Sequence, residues 1–184
     1  ASAQSDSQIA DSGTIRCADN VSIVSFSQDR SAVNQDISLR RALAPEGDSI
    51  IYQGRSLHVV SWAKKFLFRP DQLETPVSQL SGGEQARILI ASLMRQPADI
   101  LLLDEPTNDL DINSLDVLEE SLLDFGGALV LVTHDRYLLD RVCDRLIGFI
   151  DGPDVRYYAG YEQWLRNVGQ GRETQTDNSV GADN

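Results

Sequence analysis

The chain has 184 residues, 41% of them hydrophobic, which is enough to bury the core of one domain. Its 16 basic and 28 acidic side chains give a net charge of −12, which argues against a general DNA- or membrane-coating role. No apolar run approaches the roughly 20 residues that span a bilayer, and no charged-then-apolar leader opens the chain. We therefore expect a cytoplasmic protein without membrane contact and without evident direct DNA binding.

Both ends of the chain are polar and lack an apolar period. Residues 1–8 consist mainly of Ser, Ala, Gln and Asp, and residues 169–184 are similarly polar. Such segments bury too little apolar surface to fold, so we expect both to be disordered. The folded domain is then expected over residues 9–168.

Apolar strands alternate with amphipathic helices along this domain, which predicts an α/β fold with a parallel sheet that helices cover on both faces. Pro97 stops one predicted helix, and Gly126-Gly127 stops another. The predicted elements are strands at 13–18 and 21–26, helices at 38–43, 57–68 and 84–95, a strand at 100–103, a helix at 113–124, a strand at 128–133, a helix at 136–143, strands at 146–150 and 154–158, and a helix that starts near Tyr161.

The strand at 100–103 ends in two adjacent carboxylates, Asp104 and Glu105. Ligands of open parallel sheets bind beyond the carboxyl ends of the strands. There, one acid is suited to hold Mg²⁺, and the other to orient or deprotonate an attacking water. Taken alone, the pair is equally compatible with a turn cap and a solvated acid, so both alternatives stay open.

The run Ser81-Gly82-Gly83-Glu84 lies at the start of the helix predicted at 84–95. Ser81 and Glu84 have the spacing of a capping box. The two glycines allow an anion to approach the backbone, where free N–H groups and the helix dipole favour a phosphate. An ordinary glycine-containing helix start has the same features, so the motif by itself does not establish a phosphate site.

Two further polar residues come after predicted strands. His134 follows the strand at 128–133, where a neutral imidazole is suited to hydrogen-bond a γ-phosphate. Gln28 follows the strand at 21–26, and its amide oxygen is suited to ligate Mg²⁺ or to position water. Each residue alone is more typical of an ordinary turn or loop than of a functional site.

These four motifs follow one another in the chain as Gln28, the run Ser81-Gly82-Gly83-Glu84, the pair Asp104-Glu105, and His134. In that order they closely resemble the Q-loop, signature, Walker B and switch histidine of ATP-binding-cassette (ABC) ATPases. The stretch LSGGEQARILIASLMRQPADILLLDEPTNDLD is the most specific part of the resemblance. The resemblance covers about residues 9–168. It implies part of a P-loop NTPase-like domain, with a parallel sheet flanked by helices and a helical subdomain, that works on ATP with Mg²⁺.

The resemblance also implies which residues contact the nucleotide. Gln28 matches the Q-loop glutamine, which helps to hold Mg²⁺ and monitors the γ-phosphate. Ser81, Gly82 and Gly83 match the signature, which binds the γ-phosphate of ATP held by an opposing domain. Asp111, with the preceding leucine, matches the D-loop, which crosses the seam between the two domains.

Three residues match the catalytic part of the family pattern. Asp104 matches the Walker B carboxylate that serves Mg²⁺, and Glu105 matches the catalytic base. His134 matches the switch histidine. The resemblance therefore implies ATP hydrolysis by the complete protein.

The residues after Walker B are similar to the ABC-F branch of the family, which pairs two such domains in one soluble chain without a membrane domain. The chain reads Asn108-Asp109-Leu110-Asp111 where transporter subunits usually read Ser-Ala-Leu-Asp. This run resembles the Uup-type subgroup. The run HDRYLL at 134–139 and the closing run at 157–164 are also similar to ABC-F proteins.

A complete domain of this family carries Gly-x-x-x-x-Gly-Lys-Ser/Thr, the Walker A loop, and no such run occurs in this chain. That loop holds the β- and γ-phosphates and a Mg²⁺ ligand. We therefore expect a fragment that lacks the loop at its N-terminal side, and the second, C-terminal domain of a longer protein. Alone it should neither bind ATP tightly nor hydrolyse it, but it should complete an ATP site on a partner domain that carries the loop.

Several functions stay open at this stage. The first is a soluble ABC-F ATPase that binds and hydrolyses ATP between two nucleotide-binding domains and acts on ribosomes or translation. The second is the ATP-binding subunit of a membrane transporter, which the run at 108–111 disfavours. The third is an inactive remnant, and a DNA-linked role receives no support from the acidic charge.

Overall fold

A computed structural model describes residues 14, 16–26, 33–150 and 154–167 of the chain. Two single turns of 3₁₀ helix lie at Pro70–Gln72 and Val77–Gln79. In chain order the elements are β1 (Ile23–Phe26), α1 (Leu39–Leu43), β2 (Ser49–Tyr52), β3 (Arg55–His58), α2 (Val59–Lys65), α3 (Gly82–Arg95), β4 (Ile100–Asp104), α4 (Ile112–Leu123), β5 (Ala128–Val132), α5 (Arg136–Val142), β6 (Leu146–Ile150), β7 (Asp154–Tyr158) and α6 at 161–167.

The central sheet is parallel and has the strand order β1-β4-β5. Ile23 at the start of β1 pairs with Ile100 of β4, and Asp104 at the end of β4 pairs with Val132 of β5. Because the strands are parallel, the residues that follow β4 and β5 meet at one edge of the sheet. The α/β fold with a parallel sheet flanked by helices, predicted from the sequence, is thereby confirmed.

The two faces of this sheet are covered unequally. Leu101 and Leu103 of β4 are buried in the hydrophobic core, together with side chains of α3 and α4. On the opposite face Leu102, Val130 and Val132 are 37%, 51% and 57% exposed. The described residues therefore cover this second face only in part, and its cover by helices stays a prediction.

Residues 33–80 form the helical subdomain that the family resemblance implied, but it also contains a hairpin that we did not predict. β2 and β3 pair antiparallel around a Gln53-Gly54 turn, where both residues have positive φ. The helix predicted at 57–68 therefore begins only at Val59. His58 caps it, because its Nδ1 accepts a hydrogen bond from the N–H of Val60 over 3.2 Å.

The remaining predictions of secondary structure have mixed outcomes. Residues 14 and 16–18 have no strand, whereas the turn at 19–20 is present and Asn20 has φ 70°. The hairpin of β6 and β7 and the helix after it are confirmed. The predicted disordered ends, 1–8 and 169–184, lie outside the described residues, so the domain limits 9–168 stay a prediction. No helix in the described ranges is long and apolar enough to cross a membrane.

Candidate functional site

Glu105 and His134 lie side by side beyond the carboxyl ends of β4 and β5. The backbone N–H of His134 donates to Oε2 of Glu105 over 3.3 Å, and its Nε2 lies 3.3 Å from Oε1. The N–H of Glu105 donates to the carbonyl of Val132 over 2.7 Å, so this strand pairing orients the residue. The parallel sheet therefore brings together two predicted site residues that are far apart in the chain.

The backbone of Glu105 is in an unusual conformation. Its φ is 45°, in the left-handed region that residues other than glycine seldom adopt. Its side chain is 23% exposed, whereas that of His134 is 98% exposed. A partly buried carboxylate whose two oxygens both face one histidine has a fixed orientation, and this is what a general base requires.

Asp104 is the preceding residue and is exposed at the end of β4. Within the described part of the chain, no three His, Cys, Asp or Glu side chains cluster closely enough to hold a metal ion. Mg²⁺ commonly takes one or two protein carboxylates and completes its coordination with phosphate oxygens and water. Asp104 fits that role, whereas the other predicted ligand, Gln28, lies outside the described residues.

The signature run begins α3 in the predicted capping box. The hydroxyl of Ser81 accepts from the N–H of Glu84 over 3.2 Å, and Oε2 of Glu84 accepts from the N–H of Ser81 over 2.8 Å. The helix begins at Gly82, two residues earlier than predicted. The amides of Gly82 and Gly83 thus belong to the first turn, where N–H groups have no acceptor within the helix.

Glu84 is fixed from two sides. Its Oε1 accepts from Nε2 of Gln72 over 2.8 Å, which ties the signature run to the 3₁₀ turn at 70–72. Burial raises the pKa of Glu84, but the hydrogen bonds from Ser81 and Gln72 outweigh burial and hold the pKa below its usual value. The carboxylate therefore stays charged at neutral pH and keeps the start of α3 in place.

Asp111 contacts the signature run from the neighbouring helix. Its Oδ1 accepts from the N–H of Ser114 over 2.7 Å and so caps α4. Its carboxylate also occupies the space in which a Cβ on residue 83 would lie. The hydroxyl of Ser114 donates to the carbonyl of Gly83 over 3.1 Å. The predicted D-loop and signature residues therefore form one contact within the chain.

The sequence analysis missed Arg87, which touches the same cluster. Its side chain is buried, its Nε donates to the carbonyl of Phe66 over 3.2 Å, and its Nη1 lies 3.9 Å from Oδ2 of Asp111. A signal was present, because Arg87 precedes Ile90, Ala91 and Met94 at helical spacing. A charged residue on the buried face of a helix requires a polar partner.

Comparison with known proteins agrees with these motifs. A family model described as ABC transporter matches residues 3–108. The ATP-binding protein Uup of Caulobacter vibrioides is 45% identical over 143 residues, which are 77% of this chain and 23% of the relative. Uup of Escherichia coli is 38% identical over 83% of this chain and 24% of its own length. The chain spans about a quarter of the length of these relatives.

A more distant relative and two solved structures complete the comparison. The energy-dependent translational throttle protein EttA of Haemophilus influenzae is 30% identical over 86% of this chain and 29% of its own length. An archaeal ribosome recycling factor in complex with a ribosomal stalk protein aligns with TM-score 0.59 at 22% identity, over 87% of this chain and 32% of that one. A dimeric ATP-binding cassette bound to ADP and Pi aligns with TM-score 0.53 at 22% identity, over 77% and 65%. At this identity the structures establish the fold alone.

Proposed function

The chain belongs to the ABC transporter family, as an ABC-F nucleotide-binding domain of the Uup-like kind, and on this premise we propose that it is part of an ATPase that binds and hydrolyses ATP between two such domains. The observation that carries the proposal is the contact between Glu105 and His134 at the carboxyl edge of the sheet. A carboxylate and an imidazole at this edge are placed to act on a water that attacks the phosphate of a bound nucleotide.

In this proposal Glu105 is the general base. It accepts a proton from a water whose oxygen attacks the γ-phosphorus, as the bond from that phosphorus to the bridging oxygen breaks and ADP leaves. The two contacts from His134 hold the carboxylate in place. His134 presents its exposed imidazole to the γ-phosphate. Asp104 would hold Mg²⁺, which, when bound with ATP, offsets negative charge on the phosphate oxygens. Positioning and charge supply most of the catalysis of phosphoryl transfer.

The signature run acts across the interface in this proposal. Ser81, Gly82 and Gly83 begin α3, and its first-turn amides and hydroxyl would bind the γ-phosphate of ATP held by the partner domain. In this proposal the partner domain supplies the Gly-x-x-x-x-Gly-Lys-Ser/Thr loop that cradles the phosphates of that ATP. The 184 residues alone would then neither bind ATP tightly nor hydrolyse it.

Mixing the chain with a partner domain tests this proposal. The partner is a single nucleotide-binding domain of Caulobacter vibrioides Uup that contains its own Gly-x-x-x-x-Gly-Lys-Ser/Thr run, and the measured quantity is the MgATPase rate gained on mixing. We expect a gain with the wild-type chain, and a gain reduced by about tenfold or more with Ser81→Ala, because a donor to the transition state contributes roughly that much or more. Ser78→Ala is the matched control, since Ser78 is an exposed serine just ahead of the signature run.

Two results would contradict the proposal. One is a mixture that hydrolyses ATP no faster than the partner domain alone. The other is micromolar MgATP binding by the isolated chain in calorimetry, which would show that the cradle is not needed from outside.

We further propose that the longer protein acts on ribosomes or translation. The support is the similarity to the relative EttA, an energy-dependent translational throttle protein. Sedimentation of the tagged protein with ribosomes through a sucrose cushion, in the presence of a non-hydrolysable ATP analogue, is the expected result. Sedimentation with membranes instead would favour the transporter-subunit alternative.

A further inference from the structure

Arg87 is the only charged side chain that is buried among the residues the structure describes, with 7% of its surface exposed. Burial of a charge is unfavourable unless a partner compensates it. Its Nε donates to the carbonyl of Phe66, and its guanidinium lies over the ring of Phe68 at 5.3 Å. Neither group carries an opposite charge, so these contacts hold the side chain in position but leave its charge uncompensated.

Opposite charge comes from Asp111, which pairs with Arg87, and from Glu84, whose pKa Arg87 also lowers. Nη1 of Arg87 lies 3.9 Å from Oδ2 of Asp111, at the edge of direct ion pairing. This is the same carboxylate that occupies the space over Gly83 and whose Oδ1 caps α4 through Ser114. The hydrogen bonds from Ser114 lower the pKa of Asp111 most, and Arg87 lowers it further. Asp111 is therefore an anion held against the signature run.

An anion at this place conflicts with the proposed use of the run. Gly83 lies in the first turn of α3, whose amides are proposed to bind a phosphate, and the Asp111 carboxylate lies directly against it. Like charges this close repel each other, and at a carboxylate that is half exposed water screens only part of this repulsion. Something must offset the charge of Asp111 before a second anion can bind beside it.

We propose that Arg87 is a positioning residue that neutralises Asp111 and holds its carboxylate beside Gly83, so that the signature run accepts the partner's γ-phosphate. The inference rests on the proposed function and extends it to a residue that has no role in that proposal. Arg87 does not touch the phosphate. It acts from the buried side of α3, through Asp111, on the charge that the phosphate meets.

A purely structural role for Arg87 is the competing explanation. Its contacts with Phe66 and Phe68 join α3 to the end of α2. Loss of these contacts would weaken the fold to the same extent with Asp or with Asn at position 111. The two roles differ in their dependence on Asp111. Removal of the Asp111 charge should relieve the need for Arg87 if neutralisation is its role, and should change nothing if its role is packing.

A double-mutant cycle tests the inference with four chains: wild type, Arg87→Met, Asp111→Asn and the double variant. Asn retains the ability to cap α4. Each chain is mixed with the same Uup domain, and the gained MgATPase rate is measured alongside urea unfolding of the chain alone. We expect Arg87→Met to reduce the gain about tenfold in the wild-type background, and less than about twofold in the Asp111→Asn background. Arg41→Met, at an exposed arginine of α1, is the matched control.

The outcomes separate the inference from the function on which it rests. No gain with the wild-type chain refutes the proposed function, and the inference with it. A wild-type gain with equal losses from Arg87→Met in both backgrounds overturns the inference alone. Arg87→Lys, which keeps the charge, should retain the gain within about threefold. Where Arg87→Met unfolds the chain, Arg87→Gln takes its place in the cycle, because it retains a donor for the Phe66 carbonyl.

Discussion

The carboxylate of Asp111 fills the space that the missing side chain of Gly83 leaves open. A Cβ at residue 83 would therefore displace the Asp111 carboxylate, and it would meet no conflict with the backbone, because the φ of Gly83 is not positive. A substitution at either position changes the contact between α3 and α4.

Gly83→Ala should destabilise the chain although alanine favours helices more than glycine does. The new methyl group would displace the Asp111 carboxylate, which caps α4 through the N–H of Ser114, and loss of such a cap costs about 0.5–2 kcal/mol. Gly47→Ala is the control, because no atom lies within 4 Å of a Cβ built there. Urea unfolding followed by circular dichroism measures both. A Gly83→Ala chain that is as stable as Gly47→Ala would contradict the described contact.

Asp124→Ala should weaken the attachment of the β2–β3 hairpin to the end of α4. The Asp124 carboxylate accepts from the hydroxyl of Tyr52 and from Nζ of Lys65, each over 2.9 Å. Loss of both bonds should lower the free energy of unfolding by about 1–2 kcal/mol. Asp116→Ala, at an exposed position of α4, should have no such effect. Hydrogen exchange that is unchanged in β2 and β3 would refute the attachment.

The capping box predicts an acid-dependent loss of stability. The pKa of Glu84 is lower in the folded chain than its usual value of 4.5. A lowered pKa contributes stability that is fully present above about pH 4.5, and that is lost as the pH falls through the folded-state pKa. The free energy of unfolding by urea, measured in steps of ~0.5 pH units between pH 5 and 3, should therefore fall less steeply for Glu84→Gln than for the wild-type chain. Glu120→Gln, at an exposed glutamate of α4, should leave it unchanged.

The uncovered face of the sheet should bind apolar probes. Val130 and Val132 are both more than half exposed on β5. Their joint replacement by threonine, which keeps the β-branched shape, should lower the fluorescence of a bound naphthalene sulfonate dye while changing stability by less than about 1 kcal/mol. Leu103→Thr, at a buried position of β4, should instead destabilise the chain by about 2 kcal/mol or more. Undiminished dye binding by the double variant would place the apolar surface elsewhere.

Glu105→Gln tests the proposed base in a two-domain protein that carries this domain. A neutral amide cannot accept the proton of the attacking water, so turnover should fall by about 10²–10⁴-fold while ATP still closes the two domains. The expected result is a stable ATP-bound dimer in size-exclusion chromatography. Glu120→Gln is the matched control, and normal turnover by Glu105→Gln would remove Glu105 from the role of base.

The sequence predicted the sheet and the helices that lie around it because their residues determine structure locally. β4 is a short apolar run that ends in charged residues, and α3 has a capping box at one end and Pro97 near the other. Glu105 and His134 were each predicted at the carboxyl end of a strand, and the parallel pairing of β4 with β5 brings these ends together. These features depend on periodicity, capping and strand order.

Other features depended on tertiary contacts that no local pattern contains. The sequence did not reveal the β2–β3 hairpin, because Leu57 continues the apolar spacing of α2 and a Gln53-Gly54 turn is a weaker signal than Asn-Gly. The contact of Asp111 with Gly83 arises only when two helices pack together. The partial exposure of one face of the sheet was not predicted, because apolar residues indicate that a surface favours burial without showing what buries it.

Glu105 extends its side chain from a left-handed backbone, and this has a consequence for directed evolution. Glycine adopts that conformation readily, whereas other residues are strained there by about 1–3 kcal/mol. A library screened only for heat resistance should therefore enrich Glu105→Gly, and with it lose the carboxylate. Under the proposed role of Glu105 as the base, selection for thermostability would favour glycine at position 105, and selection for turnover would favour glutamate.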